Sequence, residues 1–302
     1  MRGAFLCHGI VWNAAGPRLA LARPDGSAAA MDVAEGTLLS FRVLEAGKFC
    51  LGSHRVQGPR TRRHVPCPLQ APAERGYQCI NCLLNDDLRF LHDAHRSGAA
   101  PDGLRAYLAQ PHWLYVATFA SGTSKVGTAS DVRKRLRLAE QGAVAARYVA
   151  RADDGRIVRV LEDMVSQQTE LTQAVRSATK LTGLQAPQSP AELDRINANH
   201  ARTVRNLLSG AELEGFATVD QTWELPEPGR RVMGSDSRTA YPLELAAGGH
   251  GLMLEALLGS IALIRTREGS PTYLADLNGL KGRRIELGSY RSQLPPVQVS
   301  LF

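Results

Sequence analysis

The sequence predicts an α+β protein with a small three-stranded sheet and flanking helices in the middle of the chain, a cysteine-stapled segment before it and β-rich regions at both ends. Three observations carry that expectation. Short apolar runs, broken by Gly and by Pro24-Asp25-Gly26, fill the first fifty residues and much of the last hundred. Four of the five cysteines lie between residues 50 and 82. Between residues 112 and 185, two strand-like runs give way to apolar residues spaced three and four apart.

Composition narrows the class. With 44% hydrophobic and 22% charged residues, the 302-residue chain is neither disordered nor collagen-like. No run approaches the roughly 18 apolar residues of a membrane span, so no membrane association is expected. The run Ala4-Phe5-Leu6-Cys7 is too short for a secretory signal. A cytoplasmic protein is therefore expected, and in that compartment cysteines serve as metal ligands or plain thiols more often than as disulfides. The formal net charge is +7, and only five of the 36 basic residues are lysines. Arginine forks onto phosphate through two parallel hydrogen bonds, so this surplus admits nucleic acid as a partner.

Taken in order, residues 1–49 read as strands and turns. Leu19–Ala22 ends at Pro24-Asp25-Gly26, and Leu38–Leu44 follows Glu35-Gly36. Cys7 falls in an apolar strand and is expected to be buried and inert. Residues 50–111 are rich in Pro, Arg and Cys and poor in periodicity, so a hydrophobic core cannot order them. Cys79-x-x-Cys82 has the spacing of two thiolates on one tetrahedral metal. With Cys50 and Cys67 it forms a candidate structural zinc site, for which His54 and His64 are alternative ligands.

Residues 112–185 open with the strand Trp113–Phe119, then a Ser-Gly turn and a second strand, Thr123–Gly127. Asp131 starts a basic helix that Gly142 ends. A third strand is expected at 146–150, followed by an amphipathic helix bearing Ile157, Val160, Leu161, Met164 and Val165. Residues 186–302 begin with a linker at Pro187, Ser189 and Pro190 and a helix start, then return to strand-and-turn texture. The longest strand there runs from Leu252 to Ile264, interrupted by Gly259 and apolar enough to be buried on both faces. The two β-rich ends are candidates for one joint domain, with Pro295–Phe302 as a closing strand.

The central unit carries the chemistry. Leu114-Tyr115 sits in its first strand, Lys125-Val126-Gly127 ends the second ten residues on, Arg135 follows another ten residues later, and Glu162 lies on the amphipathic helix. This order resembles the GIY-YIG nuclease superfamily over about 70 residues. Together with the cysteine segment it looks like an uncharacterised bacterial domain-of-unknown-function family, with a zinc-ribbon-like portion ahead of a GIY-YIG-like portion.

The resemblance implies a metal-dependent phosphodiesterase, and the residue types suit that chemistry. Glu162 would hold one Mg²⁺ or Mn²⁺, Arg135 would pair with the phosphate oxygens and Tyr115 would act as general base. Gly127 would let the backbone approach the substrate. Lys125 stands where most members have a second tyrosine, as in some restriction enzymes of the superfamily, and would contact water or phosphate.

Residues 112–151 carry a net +5, and Arg55, Arg60, Arg62, Arg63 and Arg75 make a second basic cluster. Arg133, Lys134, Arg137, Gly127 and Tyr148 are the expected contacts to nucleic acid, DNA or RNA. Two further readings compete with the nuclease. One is a non-catalytic DNA- or RNA-binding protein on the same scaffold, and the other is an enzyme acting on a small phosphorylated metabolite.

Overall fold

Two antiparallel sheets from different parts of the chain dominate the computed structural model, which describes residues 2–91, 93–236 and 238–294. The chain opens with β1 (Gly3–Asn13), β2 (Gly16–Ala22), β3 (Ala28–Asp32) and β4 (Leu38–Val43). The cysteine-rich segment follows, with the hairpin β5 (Ser53–Val56) and β6 (Arg62–Val65) and the short helices α1 (Ile80–Leu84), α2 (Ala94–Ser97) and α3 (Asp102–Leu108). The central unit contains β7 (His112–Thr118), β8 (Ser124–Ser130), α4 (Lys134–Gln141), β9 (Ala145–Ala152), α5 (Gly155–Gln168), α6 (Ser177–Gln185), α7 (Pro190–Ser209) and β10 (Phe216–Trp223). Then come α8 (Glu227–Gly234), β11 (Gly249–Leu258), β12 (Ile261–Arg265), β13 (Tyr273–Asp276) and β14 (Arg284–Leu287).

The two ends of the chain share one sheet of eight strands, ordered β13-β12-β11-β4-β14-β1-β2-β3. Strand β14 lies between β1 and β4, so the register Phe5↔Ile285 and Ile285↔Val43 joins residues nearly 300 positions apart. Leu19, Leu39, Phe41, Leu252 and Ile264 fill one core against this sheet. The apolar run 252–264 is a hairpin rather than one strand. Gly259 takes a φ of +64° at its turn, a backbone region that glycine enters without steric cost. That turn also receives a hydrogen bond from Trp12 Nε1 to the Gly259 carbonyl, at 3.1 Å. The run Pro295–Phe302 lies outside the described residues.

The smaller sheet has the order β10-β9-β7-β8. Alternation along β7 sends Leu114 and Val116 toward α5 and α7, while Tyr115 and Ala117 face the side of α4. This sheet has four strands rather than the expected three, because β10 pairs with the edge of β9. Nor does the boundary expected at 185/186 divide the structure. Helix α7 begins at Ser189, whose side chain caps Glu192 N, with Pro190 in the first turn. It lays Leu193, Ala201, Val204 and Leu208 on the sheet. No helix among the described residues is long and apolar enough to cross a membrane.

Asn197 of α7 is fully buried in this interface. Its Nδ2 donates to the Val116 carbonyl (3.1 Å) and to Thr118 Oγ1 (3.0 Å), and its Oδ1 accepts from Arg147 Nη1 (3.0 Å). A buried polar group left unpaired costs about 1–3 kcal/mol. Asn197→Ala should therefore lower the unfolding free energy in urea by about that amount.

Candidate functional site

The Tyr115 side chain is built into the middle of the small sheet and has no solvent exposure. Its ring lies over Gly127, the residue directly opposite on β8. A Cβ at position 127 would sit 2.6 Å from both the Tyr115 Cζ and Oη atoms. Gly127 thus gives the ring room inside a strand that continues to Ser130, past the end at 127 that the sequence predicts. The Tyr115 hydroxyl is buried without a hydrogen-bond partner. Burial pushes its pKa up to about 12, while the Arg137 guanidinium exerts the strongest opposing pull.

Lys125 is on the same face of β8, with its ammonium 6.0 Å from the Tyr115 ring centroid. It donates to the Gln173 carbonyl at 3.0 Å and is almost fully buried. Burial, with the neighbouring Arg137 charge, pulls its pKa down to about 8. Glu162 comes from α5, is also buried, and accepts a hydrogen bond from Arg159 Nη1 at 2.5 Å. The charges of Arg137, Arg159 and Glu162 all act on both Tyr115 and Lys125. Four elements therefore bring a phenol, an ammonium, two guanidiniums and one carboxylate into one cluster.

Arg135 is not part of it. Residues 135 and 137 lie roughly 200° apart around a helix, so only one of them can face Tyr115. Arg135 is exposed, and its carbonyl accepts from Trp223 Nε1 at 3.3 Å. Arg137 occupies the position expected of it, and Arg159 joins the cluster although the sequence reading missed it. The signal for Arg159 was its place three residues before Glu162 on the same helix.

The expected nucleic-acid contacts also divide. Tyr148 is buried, with its hydroxyl donating to the Lys134 carbonyl at 2.6 Å and its ring edge-on to Trp113. It is a core residue whose hydroxyl is already engaged. Lys134 stacks its ammonium 3.1 Å from the Trp113 ring centroid and donates to Gln221 Oε1. Arg133 is held by both Glu140 oxygens, at 2.5 and 2.6 Å.

The second candidate centre is the cysteine cluster. The Sγ atoms of Cys50, Cys67, Cys79 and Cys82 all lie within 4.8 Å of one another, and all four residues are buried. Cys79 caps α1, so Cys82 comes one turn later onto the same point. Gly52 N–H donates to Cys50 Sγ and Cys82 N–H to Cys79 Sγ, the kind of bond that steadies a thiolate. Zinc–sulfur bonds of about 2.3 Å put tetrahedral sulfurs about 3.8 Å apart. The Cys67–Cys79 separation of 4.0 Å fits that, so the four sulfurs can hold a metal ion such as zinc. His64 is turned away, its Nε2 against the Leu51 carbonyl at 2.5 Å. Cys7 stands apart in the large core, where burial raises its pKa to about 12.

Residues 75–223 match a family described as a protein of unknown function, DUF2797. The matched stretch begins ahead of Cys79 and ends at Trp223 with β10, so it takes in Tyr115, Lys125, Arg137 and Glu162 together with the whole four-stranded sheet. Cys50, Cys67 and the β5–β6 hairpin precede the matched region, and every strand of the eight-stranded sheet lies outside it. Neither the curated proteins nor the solved structures contain a match to the chain.

Two variants test these centres. Cys82→Ser should reduce bound zinc below one ion per chain by elemental analysis, and should expose the 50–111 segment to proteolysis first. Gly127→Ala should destabilise the fold by about 1–3 kcal/mol through overpacking, and Tyr115→Leu should recover part of that loss in the double variant.

Proposed function

We propose that this protein cleaves phosphodiester bonds in nucleic acid, with Tyr115, Lys125, Arg137 and Glu162 as the reacting groups. The observation that carries the reading is the charge imbalance beneath the small sheet. The buried Lys125 and the half-buried Arg137 and Arg159 act on Tyr115 together with one carboxylate, Glu162, which Arg159 already pairs. Buried cations are expensive unless matched, and a phosphate anion is the ligand that would match these. Arg137 presents a fork for two non-bridging oxygens, and Lys125 adds a point charge whose pKa of about 8 lies near neutrality.

Glu162 and the substrate's own phosphate oxygens would hold a divalent cation, since Mg²⁺ needs only one or two carboxylates beside phosphate. When bound, that ion supplies charge neutralisation and an acidified water. With its pKa raised to about 12, Tyr115 stays a neutral phenol near pH 7 and would orient the attacking water or a phosphate oxygen by donating a hydrogen bond, the water's proton leaving to solvent. The segment 169–176 covers Lys125 through the Gln173 carbonyl and pairs with Val126 through Thr172, so substrate entry requires that segment to lift. This closure also favours a second reading, a non-catalytic nucleic-acid-binding protein on the same scaffold.

Incubation with labelled single-stranded, duplex and branched nucleic acids should give cleavage with Mg²⁺ or Mn²⁺ and none with chelator. Glu162→Gln should lower the rate by about 10²-fold or more. Absence of cleavage on every substrate would leave the binding reading in its place. Lys125 fixes the pH dependence, because it must be protonated to meet phosphate. The rate should therefore fall as the pH rises through about 8. The stability effect has the opposite use. The cost of burying the ammonium is fully present below pH 8 and fades toward its ordinary pKa of 10.5. Lys125→Met should thus raise Tm at neutral pH, with a gain that shrinks in alkali, while abolishing cleavage.

A further inference from the structure

An open groove of about 710 Å³ separates the β5–β6 hairpin from the start of α4. Its floor is apolar, made by Val56, Leu88, Leu91 and Leu136 beside the Tyr107 ring. Its rim is basic, made by Arg60, Arg62 and Arg133, and Asp131 is the acid among the lining residues. Arg133 is already satisfied by Glu140, and Asp131 by Trp113 Nε1 at 2.8 Å. The side chains of Arg60 and Arg62 form no hydrogen bond or ion pair within the described residues.

We infer that this groove binds single-stranded nucleic acid, its bases on the apolar floor and its phosphates on Arg60 and Arg62. The combination discriminates among polymers. A duplex keeps its base faces stacked inside and offers a protein only its backbone and groove edges, so it would use the arginines and waste the floor. An unpaired strand offers both a charged backbone and open aromatic faces, which is what an arginine rim over an apolar, tyrosine-bearing floor recognises. The volume is that of a cleft for a small ligand, not of a channel wide enough for a double helix. Position supports the same occupant. Leu136 of the groove and Arg137 of the cluster belong to the same helix, α4, so the groove lies against the element that carries a phosphate-matching cation. The inference rests on nucleic acid as the substrate class, but on residues that take no part in the cleavage chemistry.

Fluorescence anisotropy on the full-length, zinc-loaded protein without Mg²⁺ tests it, with labelled oligothymidylate as probe and a hairpin duplex of equal length for comparison. Tighter binding of the single strand is expected. Arg60→Gln combined with Arg62→Gln should weaken it about tenfold and flatten the slope of log K against log salt by about 1.4, two lost phosphate contacts at about 0.7 each. Arg60→Lys with Arg62→Lys should restore the slope. Arg195→Gln with Arg202→Gln, exposed on α7, should bind as wild type.

Duplex binding as tight as the single strand, wild-type binding by the glutamine pair, or equal displacement of the probe by polyglutamate would each overturn the inference. All four substituted arginines are exposed, and an unchanged Tm excludes misfolding as the cause of weaker binding. Binding intact with no cleavage would refute only the cleavage mechanism. Cleavage intact without groove-dependent binding would refute only the groove.

Discussion

The insertion of β14 between β1 and β4 governs this architecture. It ties the strands of residues 3–43 and 249–287 into one sheet, so every segment between them is anchored at both ends. The cysteine segment, which its sequence suggested would lack a core, has a small one of Val56, Ala94, Ala100, Leu104 and Leu108. It docks on that sheet by backbone bonds such as Phe49 N–H to the Gly282 carbonyl at 2.7 Å, and its four sulfurs can supply the rest of its order. The small sheet meets the large one at a tight point. Gly142, which ends α4, approaches the Gly259 turn so closely that a Cβ on Gly259 would lie 2.9 Å from the Gly142 Cα. The helix carrying Arg137 is therefore fixed from both sides.

Against that rigid frame the cluster around Tyr115 runs opposite to the logic of a core. A stable interior would hold neither an unpartnered hydroxyl nor three cations about one acid. Local violations of this kind are expected where a ligand completes the set of interactions. The same accounting separates the cluster from Tyr148, which is equally buried but fully satisfied by the Lys134 carbonyl. Burial alone does not distinguish function from packing, whereas the state of the polar atoms does.

Legibility in the sequence followed the range of the interaction. The hairpin β7–β8, the basic helix ended by Gly142 and the amphipathic α5 were readable because turn residues, caps and periodicity act over a few residues. The helix α7 was half visible, its start marked by Ser189-Pro190 but its length set by packing of Leu193, Ala201 and Val204 on a sheet that the local sequence does not mention. The strand β10 was not visible at all as a member of the small sheet, since its pairing with β9 spans about 70 residues. The candidate site divided in the same way. Tyr115, Lys125 and Glu162 were singled out through the resemblance, while the choice between Arg135 and Arg137 depends on the rotational setting of one short helix.

By itself, the chain's order of residues determined the β7–β8 hairpin, the Gly142 end of α4, the four thiols able to share one ion and the positively charged middle third, because each depends on neighbours or on composition. Only the tertiary structure decided which arginine faces the phenol, why position 127 must lack a side chain, and that both ends of the chain make one sheet. Those outcomes depend on contacts between distant segments. Such contacts are selected by the total area and charge that the whole fold buries, a quantity that no local window contains.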